Sequence, residues 1–418
     1  MATTRSFIRS FKAVILTLIV AGSSFASNAH QLPNATSTLP SNHTGEGQPP
    51  IIQPPAWLRD PQEIPSGSVS RSLRVGKHGD EEVALFQTQD AKNEHIRHTY
   101  IVIHGELSDA WRYWPRMNNA IEKARQLSFP GANRNLMVVA PILFSNKYNC
   151  GQYADNQLAW NVSGAWQDGR EAIHPPGTNV TSLDVMDKLV EEFSDHKKFP
   201  RMTNITIVGQ SGGGQFVQRY AAVAKEPRSH GIHIRYIQVN PSSSLYFTQD
   251  RPNMMNTTLP SKRSCHKYNN WRYGFDQFPS TLNASKTPEE YFRQFISRDV
   301  ISLVGYQDTD LKGGQTCMDR MQGGPKRRDR NLIWYQYING LARTGEDLQG
   351  FPGKFDDLPD WSSVSNHSIK TRLMVLENAN HEFINVFATD GGRSALFSDR
   401  DLLPSWRPGQ PSSPCTEN

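Results

Sequence analysis

The chain has 418 residues, 37% of them hydrophobic and 20% charged, with a formal net charge of +5. That length suffices for one large core, so one domain flanked by tails is expected. The modest charge lacks the strongly basic footprint of a nucleic-acid binder.

Arg5, Arg9 and Lys12 precede an apolar run over 13–21, and small residues lead to Ala26 or Ala29. This three-part layout reads as a secretory signal peptide over residues 1–27. A membrane span takes about 20 consecutive apolar residues, so no stable membrane anchor is expected. Cleavage would remove three positive charges and no negative one, leaving +2. Residues 28–72, rich in Pro, Ser and Thr, read as a disordered linker. The folded body is expected over 73–403, with a C-terminal tail over 404–418 that Trp406 and Cys415 would pin to it. Asn-x-Ser/Thr sequons at Asn34, Asn42, Asn161, Asn179, Asn204, Asn256, Asn283 and Asn366 fit glycosylation in a eukaryotic secretory pathway. Four cysteines, Cys150, Cys265, Cys317 and Cys415, follow the signal. An even number in an oxidising compartment favours two disulfides, with three pairings open.

Along the body, β-branched runs alternate with helix-period segments, the pattern of a parallel sheet with crossover helices. Strands are expected at 83–88, 98–104, 136–142, 204–208, 234–239, 300–305 and 372–377. Helices are expected at 109–127, at 181–193 with Thr181 or Ser182 as cap, and at 213–224. The result is a mostly parallel, doubly wound α/β sheet with helices on both faces. Two excursions, 144–177 and 245–298, carry many aromatics and a cysteine each, and read as ordered covers over a site. The basic cluster Lys326-Arg327-Arg328 with Arg330 reads as a solvated helix face.

The most informative segment is Ile205-Thr206-Ile207-Val208-Gly209-Gln210-Ser211-Gly212-Gly213-Gly214, which joins a strand directly to a helix. A serine at such a bend is exposed at a helix N-terminus, where free N–H groups, above all that of Gly212, stabilise a developing oxyanion. Its hydroxyl needs a base oriented by a carboxylate. His381 stands just beyond the strand at 372–377, and Asp308 in an acidic turn after the strand at 300–305. Asp310, two residues on, is the alternative acid. A second oxyanion donor is expected from Gly105 or Glu106, after the strand ending at His104; His104 itself is expected to be structural.

This order of motifs resembles the α/β-hydrolase superfamily over 73–403. More narrowly, Cys317, Met321-Gln322-Gly323-Gly324, Arg327 and Tyr268-Asn269-Asn270-Trp271-Arg272-Tyr273-Gly274 are similar to a group of secreted fungal and bacterial hydrolases. Glu106-Leu107 stand where many lipases carry Gly-Gly-Gly. The resemblance implies the α/β-hydrolase fold with cap or loop insertions, and acyl transfer through Ser211, His381 and Asp308. The expected activity is cleavage of carboxylic esters, in a small molecule or a polymer, by an extracellular enzyme. The alternatives are an amidase or peptidase with the same triad, or a non-catalytic secreted binding protein on the same fold. No metal or organic cofactor is expected, since no cluster at ligand spacing stands unexplained.

Overall fold

The computed structural model describes residues 63–76, 80–225, 231–279, 286–398 and 401–410. The expected signal peptide and all but the end of the linker lie outside these residues, as do Asn34, Asn42, Asn283 and Cys415. In chain order the strands are β1 (Ser68–Arg74), β2 (Glu82–Thr88), β3 (His98–Ile103), β4 (Leu136–Pro141), β5 (Phe144–Ser145), β6 (Ala159–Trp160), β7 (Asn204–Gln210), β8 (His233–Val239), β9 (Asp299–Gly305) and β10 (Arg372–Leu376). The helices are α1 (Ala110–Gln126), α2 (Asn146–Asn149), α3 (Ser163–Gln167), α4 (Ser182–Phe193), α5 (Gly212–Val223), α6 (Pro288–Ser297), α7 (Cys317–Arg320), α8 (Arg327–Ala342), α9 (Ser362–Ser365), α10 (Phe383–Phe387) and α11 (Asp390–Phe397).

Eight strands form one sheet in the order β1-β2-β4-β3-β7-β8-β9-β10. β1, β2 and β4 pair antiparallel, whereas β4-β3-β7-β8-β9-β10 is parallel throughout. A parallel sheet must be covered on both faces, and alternation along each strand divides the core accordingly. Ile101 and Ile103 of β3 pack with α4 and α5 through Leu189, Phe216 and Tyr220. Tyr100 and Val102 pack on the other face with Trp114 and Met117 of α1 and Phe383 of α10. The α/β-hydrolase fold expected from the motif order is the fold observed. From β3 the chain moves outward to β4 and then returns to β7 on the other side, so the strand order reverses at β3. In open α/β sheets, ligand sites lie beyond the carboxyl ends of the strands at such a reversal.

The helix expected at 181–193 starts at Ser182, because Thr181 caps it: its hydroxyl accepts from Asp184 N while the Asp184 carboxylate accepts from Thr181 N. Three expectations are corrected. The first strand begins at Ser68, inside the segment read as linker, because β2 offers it a free edge for hydrogen bonding. The second excursion ends earlier than expected, since α6 occupies 288–297 and docks under α5, with Gln294 donating to the carbonyls of Ala222 and Ala224. The basic cluster is not solvated: Arg327 and Arg330 are 4% and 2% exposed. Their guanidiniums find a carboxylate or several carbonyl oxygens inside the protein, which offset part of the cost of desolvation. One of the two expected disulfides is formed, between Cys265 and Cys317; Cys150 is exposed and has no bridge among the described residues, which do not include Cys415. Ser405 and Trp406 bind back to Val375 of β10, so this part of the tail is pinned.

Candidate active site

Ser211 lies between the end of β7 and the start of α5 at φ 55° and ψ −114°, a left-handed conformation that costs a non-glycine residue about 1–3 kcal/mol. The surroundings enforce it. Ser211 N donates to Val239 O of β8, and its carbonyl accepts from Gln215 N. The turn is tight enough that a Cβ on Gly209 would stand 2.4 Å from Gly213 O, and one on Gly213 would stand 2.5 Å from the carbonyls of Ile103 and His104. These close approaches are why the motif needs glycine at both places, and they bring the N-terminus of α5 against the end of β3.

Asp308 follows β9 and His381 follows β10, two adjacent parallel strands. The structure joins them: His381 Nδ1 donates to Asp308 Oδ2 at 2.9 Å. Asp308 is 1% exposed. Its other partner is Arg327, whose Nε contacts both carboxylate oxygens at 3.1 Å and whose Nη2 donates to Oδ1 at 2.8 Å. Burial by itself would raise the Asp308 carboxyl, but the bonds from His381 and Arg327 outweigh it and hold the group below its ordinary range. Asp310 is exposed, and its carboxylate accepts from Lys312 N. Between the two acids, only Asp308 meets the imidazole.

The histidine loop is tied to the serine turn through Gln210. The Gln210 amide donates to the carbonyl of His381 and accepts from the Tyr113 hydroxyl at 3.1 Å. Buried Asn240 adds a second tie, donating to Asn380 O at 3.0 Å and accepting from Gly305 N at 2.8 Å. No hydrogen bond joins the Ser211 hydroxyl to the His381 ring in this structure. Such contacts are often long in ligand-free enzymes and tighten with substrate bound.

On the other side of Ser211, His104 holds the loop that follows β3. It is fully buried, and burial lowers its pKa to about 4, so the ring is neutral. Nε2 accepts from Leu143 N at 3.0 Å, which puts the proton on Nδ1, donating to Gly105 O at 2.9 Å. His104 is therefore structural, as expected. Of the candidate donors, Glu106 and Gly212 line one cavity with Ser211. A Cβ on Gly212 would stand 3.1 Å from Glu106 N. A Cβ on Gly105 would instead meet the Tyr113 hydroxyl at 2.8 Å, and Gly105 is not part of that cavity.

Both excursions reach this cavity, Gly164 and Gln167 from the first and Arg272 from the second. They are joined to each other, since Trp271 Nε1 donates to Asp168 O at 2.6 Å and Arg272 pairs with the Asp168 carboxylate at 3.0 Å. Sequence reasoning assigned no role to Gln210, Asn240, Gln167, Arg272 or Arg327. Gln210 was visible as the middle of Gly-Gln-Ser; Arg272 and Arg327 stood inside the resemblance motifs. Of the sequons, Asn161, Asn179, Asn256 and Asn366 are exposed, whereas Asn204 is half-buried at the start of β7.

No family model matches the chain, and no curated protein matches its sequence. Solved structures do match its fold. The poly(3-hydroxybutyrate) depolymerase LpqC from Bordetella parapertussis superposes with a TM-score of 0.51 at 16% identity, over 81% of this chain and 92% of that one. Poly(aspartic acid) hydrolase-1 from Sphingomonas sp. KT-1 gives 0.50 at 16% identity, over 80% and 97%.

Proposed function

We propose that the protein is a secreted serine hydrolase that cleaves carboxylic esters, with Ser211 as nucleophile, His381 as base and Asp308 as the acid that orients it. The observation that carries this reading is the 2.9 Å bond from His381 Nδ1 to buried Asp308, with the His381 carbonyl tied to Gln210, the residue before a left-handed serine. With Nδ1 donating to Asp308, Nε2 carries the lone pair and takes the Ser211 proton as Oγ attacks the ester carbonyl. The N–H groups of Gly212 and Glu106 receive the tetrahedral oxyanion. His381 returns the proton to the departing alcohol, and water, activated by the same ring, releases the acyl group. The fold is common to proteins of many activities and supports this reading without fixing a substrate. The Cys265–Cys317 disulfide supports an oxidising compartment.

A fluorophosphonate probe tests the proposal. Wild type is expected to be modified at Ser211 and to hydrolyse short chromogenic esters, and Ser211→Ala to do neither. Equal turnover by the two proteins would reject it.

A further inference from the structure

The cavity beside Ser211 is small, about 190 Å³, below the ~300–1,000 Å³ of pockets for drug-sized ligands. None of the twelve residues around it carries an aliphatic or aromatic side chain. A long alkyl or aryl acyl group would gain no apolar burial there. The wall instead presents one cation, Arg272, together with the carboxylates of Glu106 and Asp319. Its Nη1 donates to Asp168 Oδ1 at 3.0 Å and to Gln167 Oε1 at 3.5 Å, and its Nη2 to the Tyr273 hydroxyl at 3.2 Å. A guanidinium has five N–H donors, and these three bonds use three of them, while the side chain lines the cavity. Gln167 connects this cation to the serine turn, because its Nε2 lies 2.8 Å from where a Cβ on Gly212 would stand. One amide group thus separates Arg272 from the Gly212 backbone.

More positive charge stands behind. Arg219 and Arg330 are 0% and 2% exposed. Arg219 donates to the carbonyls of Arg272 and Gln167, to the Gln215 amide and to the Ser243 hydroxyl. Arg330 donates to the carbonyls of Lys326, Ser242, Gly314 and Pro325. Every one of these acceptors is uncharged. The carboxylates nearby are Asp168, shared between Arg170 and Arg272, Asp308, held by Arg327 and His381, Asp319, whose Oδ2 accepts from both the N–H and the hydroxyl of Thr316, and Glu106. Arg219 and Arg330 thus have no carboxylate among their hydrogen-bond partners, and a desolvated cation without one is costly until an anion arrives.

We infer that this cavity binds a carboxylate on the acyl portion of the substrate, which makes the substrate class short hemiesters of dicarboxylic acids. The free carboxylate bonds to Arg272 while the ester carbonyl lies at Ser211. This rests on Ser211 being the nucleophile. Hydrolysis breaks the acyl C–O bond, adds the hydroxyl of water to the acyl carbon and its proton to the alcohol, and the new carboxyl loses its proton to solvent to leave a dicarboxylate. No co-reactant besides water is required.

Monoethyl succinate and ethyl butyrate are nearly equal in length and differ in the terminal carboxylate. At fixed ionic strength, wild type is expected to turn over the first with at least about tenfold higher kcat/KM, the size of one charge-assisted bond. Arg272→Met is expected to bring the ratio of the two kcat/KM values close to one, and Arg272→Lys to keep part of the preference. A test on wild type alone is the rate of Ser211 labelling by a neutral fluorophosphonate, which succinate should slow and succinamide should not. Labelling at Ser211 with equal use of the two esters, or equal protection by succinate and succinamide, would overturn the carboxylate site and leave the nucleophile standing. Failure of Ser211 to label would remove the nucleophile and the carboxylate site together.

Discussion

Replacing Arg327 by methionine tests the electrostatic support of the site most directly. The guanidinium makes three contacts of 2.8–3.1 Å to Asp308, and the two side chains are only 5% and 0% exposed. Removing one partner of a buried pair strands the other and costs about 3–5 kcal/mol, a large part of a total stability of about 5–15 kcal/mol. The variant is expected to fold, with Tm lower by several degrees. The pH dependence should move as well. In wild type the Asp308 carboxyl is depressed, because bonds from His381 and Arg327 outweigh its burial. A depressed carboxyl contributes stability that is present above its unfolded value, about 3.9, and lost as pH falls through the folded value. Without Arg327, burial is opposed only by His381, so the carboxyl titrates at higher pH. Both the acid loss of stability and the acid limb of kcat should therefore shift upward. KM should change little, since Arg327 does not line the cavity. Thermal unfolding and a pH-stat ester assay over the same pH series read both effects. A variant with wild-type Tm and an unmoved acid limb would refute the clamp.

Three further outcomes are expected. Gly212→Ala would place a methyl 2.8 Å from Gln167 Nε2 and 3.1 Å from Glu106 N; kcat should fall about 100-fold by crowding the oxyanion donors, with Tm little changed because the Gln167 amide ends a flexible chain. His104 has its pKa lowered by burial to about 4, so its contribution is intact above the unfolded value near 6.5 and lost as pH falls to about 4. The Tm of wild type should accordingly drop more steeply across that window than the Tm of His104→Gln. Reducing the Cys265–Cys317 bridge, which closes a separation of 52 residues, or replacing Cys265 by serine, should cost about 4 kcal/mol by the loop-entropy estimate. Calorimetry with and without reductant measures it.

Where local chemistry dictates the outcome, the linear chain could be read. Gly209-Gln210-Ser211-Gly212-Gly213 is such a place: β-branched residues propagate β7, glycines permit backbone contacts near 2.5 Å, and the serine is left at the bend. The strand boundaries of β3, β7, β9 and β10 followed within a few residues, because parallel strands buried on both faces are continuously apolar. Loops were another matter. Asp308 and Asp310 are two residues apart on a turn, and nothing in their spacing says which meets an imidazole 73 residues away.

Charge was misread for a related reason. Lys326-Arg327-Arg328 has the look of a solvated helix face, and an arginine carries the same charge whether it meets water or a buried carboxylate. Arg327 is buried because β9 ends beside α8 and leaves Asp308 within reach of its side chain. The sequence by itself determined the periodicities, the glycine-bounded serine and the succession of strands along the chain, all of which depend on neighbours within a few residues. The tertiary structure alone decided which acid meets His381, how the two excursions close over Ser211, and that the resulting cavity is polar and holds Arg272. Those are contacts between segments far apart in the chain, made by packing energies that no local pattern records.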